Sequence, residues 1–589
     1  MKTIFPQTAS KNWAQQNKGD LYPVLYSTRN INLEKRGYIG LSRRMAYLKK
    51  DNGLSSMIPA IRVHTAGQEY KVASAGGNMY EVSYNLQTVA QDTNATTLSQ
   101  YTDIYTFGSS TYYTQSANSN LYYRAGGSGA YTVVGAGLSA SFTPHPMELF
   151  ETKNLLCIGN GSGIVCITGS NVVSGVALSI PSNFTIVGLR YFNNRMYVAT
   201  VSQNGADATL FEWDGATATA SFGYKIAGRG IVSIVVYDQS ICVLTSRGEL
   251  LRFGGGSFTQ LATLPFFEDK DASWSYRPAV LDHQAQGNSM DVIDEYLFIN
   301  VANNVLIKNN EYEVLPQFPA GIYQYHKDFG LVHKLSPSQS STTVASDYGQ
   351  TYGVLPNAIR RQQDFGSSYP NAPTFTYGTR LLAGATLVDS TLTESVYLLS
   401  MTSGEARGDF VTSKILTTDT VDTQQTLFIK FKNLLTSTDK IIVKYKYIDK
   451  ANYPLVFTPS ATRAVTWISN FQFTSTSTLM ANVVVGEEVS VMSGNGAGSL
   501  AHIVSITNIA GTYTVELDEP IIGVLVGDLG GIFIDNWVKA QVIDSNNTDG
   551  FEKITLGADS KWIQLKIELR GVSEPMIEEM HLIGKGYQD

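Results

Sequence analysis

Seven histidines, His64, His145, His283, His326, His333, His502 and His581, are scattered singly along the chain. None stands in an HxH or HExxH pattern, the spacings that bring two imidazoles onto one metal ion, so no zinc site is signalled. Asp214, Glu249 and Glu295 are candidate acid and base groups. Glycoside chemistry needs two carboxylates facing each other across the scissile bond, and nothing in the sequence pairs these three. Carboxylates at strand ends are also ordinary on any β surface. No GxSxG elbow, P-loop or dinucleotide fingerprint stands in a strand–turn–helix context. The run Gly494-Asn495-Gly496-Ala497-Gly498 lacks the Lys-Ser/Thr pair and the helix that phosphate binding requires, and reads as a turn. The acidic stretch Glu268-Asp269-Lys270-Asp271 lacks the Gly and the regular ligand alternation of a calcium loop. No catalytic residue, metal ligand or cofactor is therefore expected. Cys157, Cys166 and Cys242 all fall on strand-like segments and read as buried apolar thiols, although the first two lie on neighbouring strands and would be able to bridge. A basic cluster, Arg29, Lys35, Arg36, Arg43, Arg44, Lys49 and Lys50, has two readings. It is a docking arm for an acidic partner or nucleic acid, or it is a solvated edge segment that covers the first repeat.

The elements that carry these residues recur. An apolar strand, a small polar turn and a second apolar strand appear at Tyr70–Ser74 with Met79–Val82, Thr111–Tyr113 with Leu121–Tyr123, and Leu155–Ile158 with Ile164–Ile167. They return at Met196–Ala199 with Leu210–Trp213, Ile241–Leu244 with Leu250–Phe253, and Leu297–Asn300 with Val305–Lys308. A looser seventh begins near Leu331-Val332-His333. The steps between first residues are 41, 44, 41, 45, 56 and 34, so a long insertion is followed by a short successor. Each copy is too small to bury its own apolar face, and a ring in which each four-stranded sheet packs on the next solves this. The expected fold is all-β: a seven-bladed (six to eight) β-propeller followed by a β-sandwich with an inserted small β-barrel. The apolar run that opens each copy is expected to be the innermost strand. The competing arrangement is a less regular array of β-sandwiches, since any all-β chain shows closely spaced strands.

A chain of 589 residues has room for two to four domains. Charged residues make up only 16%, and helical periodicity is confined to Ser10–Lys18. Residues 1–55 read as a leader, 56–400 as the propeller, 401–464 and 541–589 as the sandwich, and 465–540 as the inserted barrel. Strands such as Leu427–Lys432 and Ile441–Tyr447 carry Lys on one face, and Trp562–Leu569 alternates apolar with polar, so one sandwich face should be wet. A net charge of −7 and a pI near 5.6 argue against a general nucleic-acid-binding surface but not against a conduit for DNA. No stretch has the roughly 18 apolar residues that a membrane-spanning helix needs. The N-terminus lacks the apolar core of a signal peptide, so folding is expected in a cytoplasm.

Two resemblances add to this. Ala345-Ser346-Asp347-Tyr348-Gly349-Gln350-Thr351-Tyr352 resembles the Asp-box hairpin of sialidase-type propellers, with Ala for Ser at the first position and Tyr for Trp at the last. That hairpin is a folding element and implies no sialidase activity. The stretch Asn30–Arg44, an Asn-Ile-Asn-Leu segment ending in Gly and followed by basic residues, precedes the repeats. Together with Trp562–Leu569, Pro575–Met580 and the Val485-Gly486-Glu487-Glu488-Val489 barrel, it resembles bacteriophage tail and nozzle virion proteins. The resemblance implies a homo-oligomeric ring in the virion tail, assembled in the host bacterial cytoplasm. Its partners would be other tail or connector proteins and phage DNA passing through without sequence-specific binding. A receptor- or carbohydrate-binding tail protein using exposed Tyr and Trp, and a propeller-type glycoside hydrolase, are the alternatives.

Overall fold

Successive strands of the repeat region are short, apolar and joined by turns that accept a positive φ, so each pairs with the next before the chain moves on. Asn193 and Asn194, for example, hold φ of 48° and 59° between Phe184–Phe192 and Arg195–Ser202. The structure is a computed structural model that describes most of residues 101–264, 425–448, 463–556 and 562–584, with the further strands named below. Its described elements are almost entirely β, and they form a β-propeller followed by two further β units.

Among the described residues, seven four-stranded antiparallel sheets make the propeller. The first holds Ala60–Val63, Glu69–Ala73, Met79–Ser83 and Val89–Gln91, and the next four follow in chain order from Tyr101 to Thr263. Their leading strands, Ala60–Val63, Tyr101–Phe107, Met147–Phe150, Phe184–Phe192, Ile231–Tyr237, Met290–Ile293 and Ile359–Gln362, neighbour one another in turn, and the last returns to the first. The cycle is thus closed. Apolar clusters lie between adjacent sheets: Tyr112, Leu121, Met147, Leu156 and Ile158 join the second to the third, and Cys157, Ile164, Ile186, Val198 and Trp213 the third to the fourth.

Four details differ from the sequence reading. The apolar runs that open each repeat are second strands, not innermost ones. A second strand is flanked on both sides and buried on both faces, as in Leu155–Asn160, so it gives the strongest apolar signal. The sixth pairing is also different. Tyr296–Val301 pairs with Gly321–His326, while Val305–Lys308 and Glu311–Val314 form a separate hairpin sheet with Ser275–Arg277. The residues near Leu331 are the outer strand of this sixth sheet, not a seventh repeat. The seventh sheet is Ile359–Gln362, Arg380–Val388 and Glu394–Thr402, and its fourth strand is Arg44–Asp51 from the N-terminal segment. Closing the last sheet with a strand from the other end of the repeat region makes opening the ring a long-range event. The Asp-box-like segment, the acidic stretch at 268–271 and the helical candidate at 10–18 lie outside the described residues.

The segment read as a leader also feeds the sandwich. Lys2–Phe5, Ile31–Asn32 and Ile39–Leu41 join one six-stranded sheet with Gln425–Phe431, Phe551–Leu556 and Met576–Gly584. Leu25–Arg29 joins the other, with Ala406–Thr412, Ile415–Leu416, Lys440–Ile448, Val538–Ile543 and Trp562–Gly571. Alternation does the sorting: Leu427, Ile429 and Phe431 from one sheet meet Ile441, Val443, Ile563, Leu565, Ile567 and Leu569 from the other in a single core. Between Lys440–Ile448 and Val538–Ile543 the chain forms a closed six-stranded barrel over residues 463–535, filled by Trp467, Phe473, Val489, Ile503, Val515 and Ile532.

The paired cysteines sit directly opposite one another on neighbouring strands of the third sheet, both fully buried, with Sγ atoms 2.7 Å apart and both thiols free. The contact between them and burial push the Cys157 thiol well above its ordinary range, and burial pushes Cys242 up to about 12. The thiolate is the reacting form. All three thiols are fully buried, so they are expected to resist a thiol reagent at neutral pH in the native protein and to react together on unfolding, which a timed iodoacetamide mass shift would read. Fast labelling of the folded chain would contradict this.

Candidate functional site

The lysine faces expected to be wet differ: in the Leu427–Lys432 run Lys430 is partly exposed and Lys432 exposed, whereas Lys444 and Lys446 are buried. In the sheet carrying Lys440–Ile448 and Trp562–Gly571, Lys440 at the strand's start is exposed, but Lys444, Lys446, Gln564, Lys566, Glu568 and Arg570 turn away from the core and are buried. The reason is the inserted barrel, whose Glu488 reaches down onto this face. Lys444 and Lys566 are direct cross-strand partners, an arrangement that repels unless a carboxylate stands between them. Glu488 does so: its Oε2 accepts from Lys444 Nζ at 2.6 Å, and its Oε1 from Lys566 Nζ at 2.7 Å. Lys444 also donates to Glu568 at 2.8 Å, and Glu568 in turn accepts from Arg570 Nε. Trp537, in the strand of chain leaving the barrel, places its ring 5.8 Å from Lys446 Nζ and 6.0 Å from Lys566 Nζ.

A second pair stands beside the first. The Asp518 carboxylate accepts from His502 Nδ1 at 2.9 Å, from the His502 backbone N at 2.7 Å and from Lys539 Nζ at 3.1 Å. Burial alone would raise the Glu488 carboxyl, but Lys444 and Lys566 outweigh it and hold it well below the usual carboxylate range. Asp518 is likewise held low: the His502 donors and Lys539 overcome its burial. Burial and then Lys444 push His502 down to about 4 against the opposing pull of Asp518, so at neutral pH it is the Nδ1–H tautomer with a bare, buried Nε2.

These shifts act in one direction. Glu488 is depressed on folding, so its stabilisation is present above its unfolded value and lost as pH falls through its folded value. His502 refuses in the native state a proton that the unfolded chain accepts, so stability falls between pH 6.5 and about 4. That shift corresponds to about 3 kcal/mol. The denaturant midpoint of the full chain is expected to drop over this window, and the slope should flatten in His502→Gln. An unchanged slope in that variant would show that other groups carry the acid sensitivity.

The other sequence candidates fall apart spatially. Asp214 caps its own turn, its Oδ1 accepting from the backbone N of Ala216 and Thr217 at 2.8 and 3.3 Å, and the carboxyl is lowered by those bonds. Glu249 accepts from Thr245 Oγ1 at 3.2 Å in the fifth sheet, and Glu295 lies 3.4 Å from His326 Nε2 in the sixth. The structure brings none of the three together. Of the basic cluster, Arg29 ends a sandwich strand and Arg44, Lys49 and Lys50 lie on the outer strand of the seventh sheet. Lys35, Arg36 and Arg43 lie outside the described residues, as do His64 and His283. The tyrosines of the second sheet, Tyr101, Tyr112, Tyr113 and Tyr122, are buried, with Tyr113 stacked on Tyr122 at 4.8 Å and edge-on to Tyr101, and Tyr112 against Phe107 and Tyr123, so they serve packing and offer no platform for a sugar. Among the described residues no group of three His, Cys, Asp or Glu is placed to hold a metal ion, and no helix is long and apolar enough to cross a membrane.

The barrel's own surface is the residue-level signal that the sequence reading missed. Leu525, Val526 and Leu529 are 69%, 79% and 74% exposed, with Ile468 and Phe471 partly exposed on the adjoining turn. Leu529 opens the strand Leu529–Asp535, whose far end pairs with Glu488. At about 3.3 Å per residue, the apolar rim lies some ~20 Å from the buried ion network. The arrangement is a module locked at one end and apolar at the other.

Fold and site together define an all-β chain made of a ring of sheets, a sandwich and an inserted barrel. No protein-family model matches the sequence, and no curated protein does. Among solved structures, the chain is similar to Chaetomium thermophilum Raptor at 10% identity and a TM-score of 0.39, over 61% of this chain and 30% of that one. It is also similar to the Myceliophteria thermophila Cps50 (Swd1) β-propeller domain, at 12% identity and 0.35, over 60% of this chain and 99% of that one. YCF48 from Cyanidioschyzon merolae gives 10% and 0.37, over 60% and 98%. The chain thus matches under a third of Raptor's length, and the sheet pairing, rather than these likenesses, defines the fold.

Proposed function

We propose that this chain is a bacteriophage virion structural protein, a tail nozzle, tail-tip or head-to-tail ring component that lines part of the DNA exit channel and anchors neighbouring tail proteins. The resemblance of Asn30–Arg44 and the C-terminal strands to such proteins supports it. The observation that carries it is the way the units are tied. The N-terminal segment supplies strands to both sandwich sheets and to the last propeller sheet, so the propeller and the sandwich cannot separate without breaking strand pairs. A barrel clamped by buried charge then presents an apolar rim outward. That construction suits a load-bearing part that works through interface area. Mass spectrometry of gradient-purified particles of the encoding phage is expected to find the chain at several copies per particle. Particles that lack it while remaining infectious would overturn the reading.

A further inference from the structure

We propose that the inserted barrel is a hinged module that lifts off the sandwich on mild acidification, triggered at His502, while barrel, sandwich and propeller keep their folds. The inference is independent of the virion reading above.

Barrel and sandwich are packed separately and held together by charge. Among the described residues no strand of one pairs with a strand of the other. Their apolar cores share no residue. The chain passes from the barrel strand Leu529–Asp535 to the sandwich strand Val538–Ile543 over Asn536 and Trp537, a short hinge. Beside that hinge the Lys539 backbone N donates to the Gly486 carbonyl at 3.2 Å. The ion pairs span the joint with one sign on each side. Glu488 and Asp518 belong to the barrel, and their partners Lys444, Lys566 and Lys539 to the sandwich. Such a tie depends on the charge state of its members, as an apolar contact does not.

His502 sits within this tie. It is the direct cross-strand partner of Glu488 and is fully buried. Its Nδ1–H is spent on Asp518, and its Nε2 has no partner among the described residues. The charged groups around it are Asp518 and Glu488 from the barrel, Lys539 from the strand after the hinge, and Lys444, Lys566 and Glu568 from the two strands beneath. A proton on Nε2 would lie buried and unpaired beside Lys444, since the carboxylates there already serve the lysines. Lifting the barrel resolves this. Asp518 travels with His502, the three lysines stay behind, and water reaches Nε2. Proton uptake and closure therefore oppose each other, which makes the histidine a switch. In the closed joint burial and Lys444 hold the imidazole down at about 4, and in the open one it returns to its ordinary 6.5 or above. Closure is thus favoured above the open-state value and loses that advantage as pH falls toward the closed-state value. Between pH 7 and pH 5 the ratio of open to closed is expected to rise about 20-fold.

The test is thiol labelling of the full chain with a pyridyl disulfide, each rate divided by that of the unfolded chain at the same pH. Ile442 lies beside Lys444 on the covered face, opposite Glu568, is 4% exposed and belongs to neither core. In Ile442→Cys the introduced thiol is expected to label about 20-fold faster at pH 5 than at pH 7. Ala501→Cys places a thiol inside the barrel core, and Cys157, Cys166 and Cys242 report on the propeller. These are expected to stay protected at both pH values. Adding His502→Asn, whose amide takes the place of Nδ1, is expected to abolish the rise at 442. A flat rate at 442 overturns the proposal. An equal rise at 501 means that the barrel unfolds rather than lifts, and overturns it as well. A rise that survives His502→Asn removes His502 as the trigger. If that variant does not fold at pH 7, the pH profile of Ile442→Cys decides instead: a rise spread over pH 6.5 to about 4 supports the switch, and one confined below pH 4 overturns it.

Discussion

Glu488→Gln is expected to destabilise the barrel–sandwich unit by about 3–5 kcal/mol, the usual result of removing one partner from a buried ion pair. The side chain keeps its shape but loses its charge, leaving Lys444 and Lys566 facing each other across the strands without the carboxylate that separates them. Lys444 is fully buried and keeps only Glu568. The effect should appear as earlier hydrogen exchange in residues 463–535, 440–448 and 562–571, with the propeller sheets unchanged. The contrasting variant replaces Lys444, Glu488 and Lys566 together by Met. It removes the charges as a set and is expected to cost much less, because apolar replacements spare the desolvation that the ions carry. A Glu488→Gln protein with wild-type stability would show that the clamp is ornamental.

Arg124→Met is expected to destabilise the first two propeller sheets by a similar 3–5 kcal/mol. The guanidinium is buried and ties Asp92 and Glu81 of the first sheet's end to the second sheet, at 3.0 and 3.1 Å, while lying 4.5 Å from the Tyr131 ring centroid. Tyr131 also donates to Asp92 at 3.3 Å, and its phenol is pushed up, chiefly by burial. Met fills the volume and removes the counter-charge from Asp92. Lys at 124 is expected to recover only part of the loss, since a point charge cannot meet both carboxylates as the fork does. Denaturant unfolding with exchange read over residues 60–134 separates this from a global effect. Equal stability of the Met variant would remove the ion pair from the account of how sheets adhere.

The repeat was legible because second strands are buried on both faces and therefore read as apolar runs, as at Ile241–Leu244 and Met196–Ala199. The innermost strands were less visible for the same physical reason reversed: Asp103, Glu148, Arg190 and Asp291 break their apolar pattern, and Glu148 meets Arg190 across neighbouring sheets at 3.2 Å. The last sheet was illegible by periodicity, since its fourth strand is some 350 residues away in sequence at Arg44–Asp51, and no spacing rule reaches across the ring. Val305–Lys308 looked like the partner of Leu297–Asn300 because local alternation cannot tell which neighbour a strand will choose. The alternation in Lys444, Lys446, Gln564, Lys566 and Glu568 was plain to see. A reading that equated charge with solvent could not foresee the barrel above it. The signal that would have revealed the clamp is the chemistry of the set: cations on two adjacent strands, with Glu487-Glu488 in the insertion between them.

The most direct measurement is electron microscopy of the purified full-length chain at micromolar concentration, with class averages sorted by symmetry. The account predicts closed rings of identical subunits around an open axis. Single particles of one subunit at every concentration would contradict it.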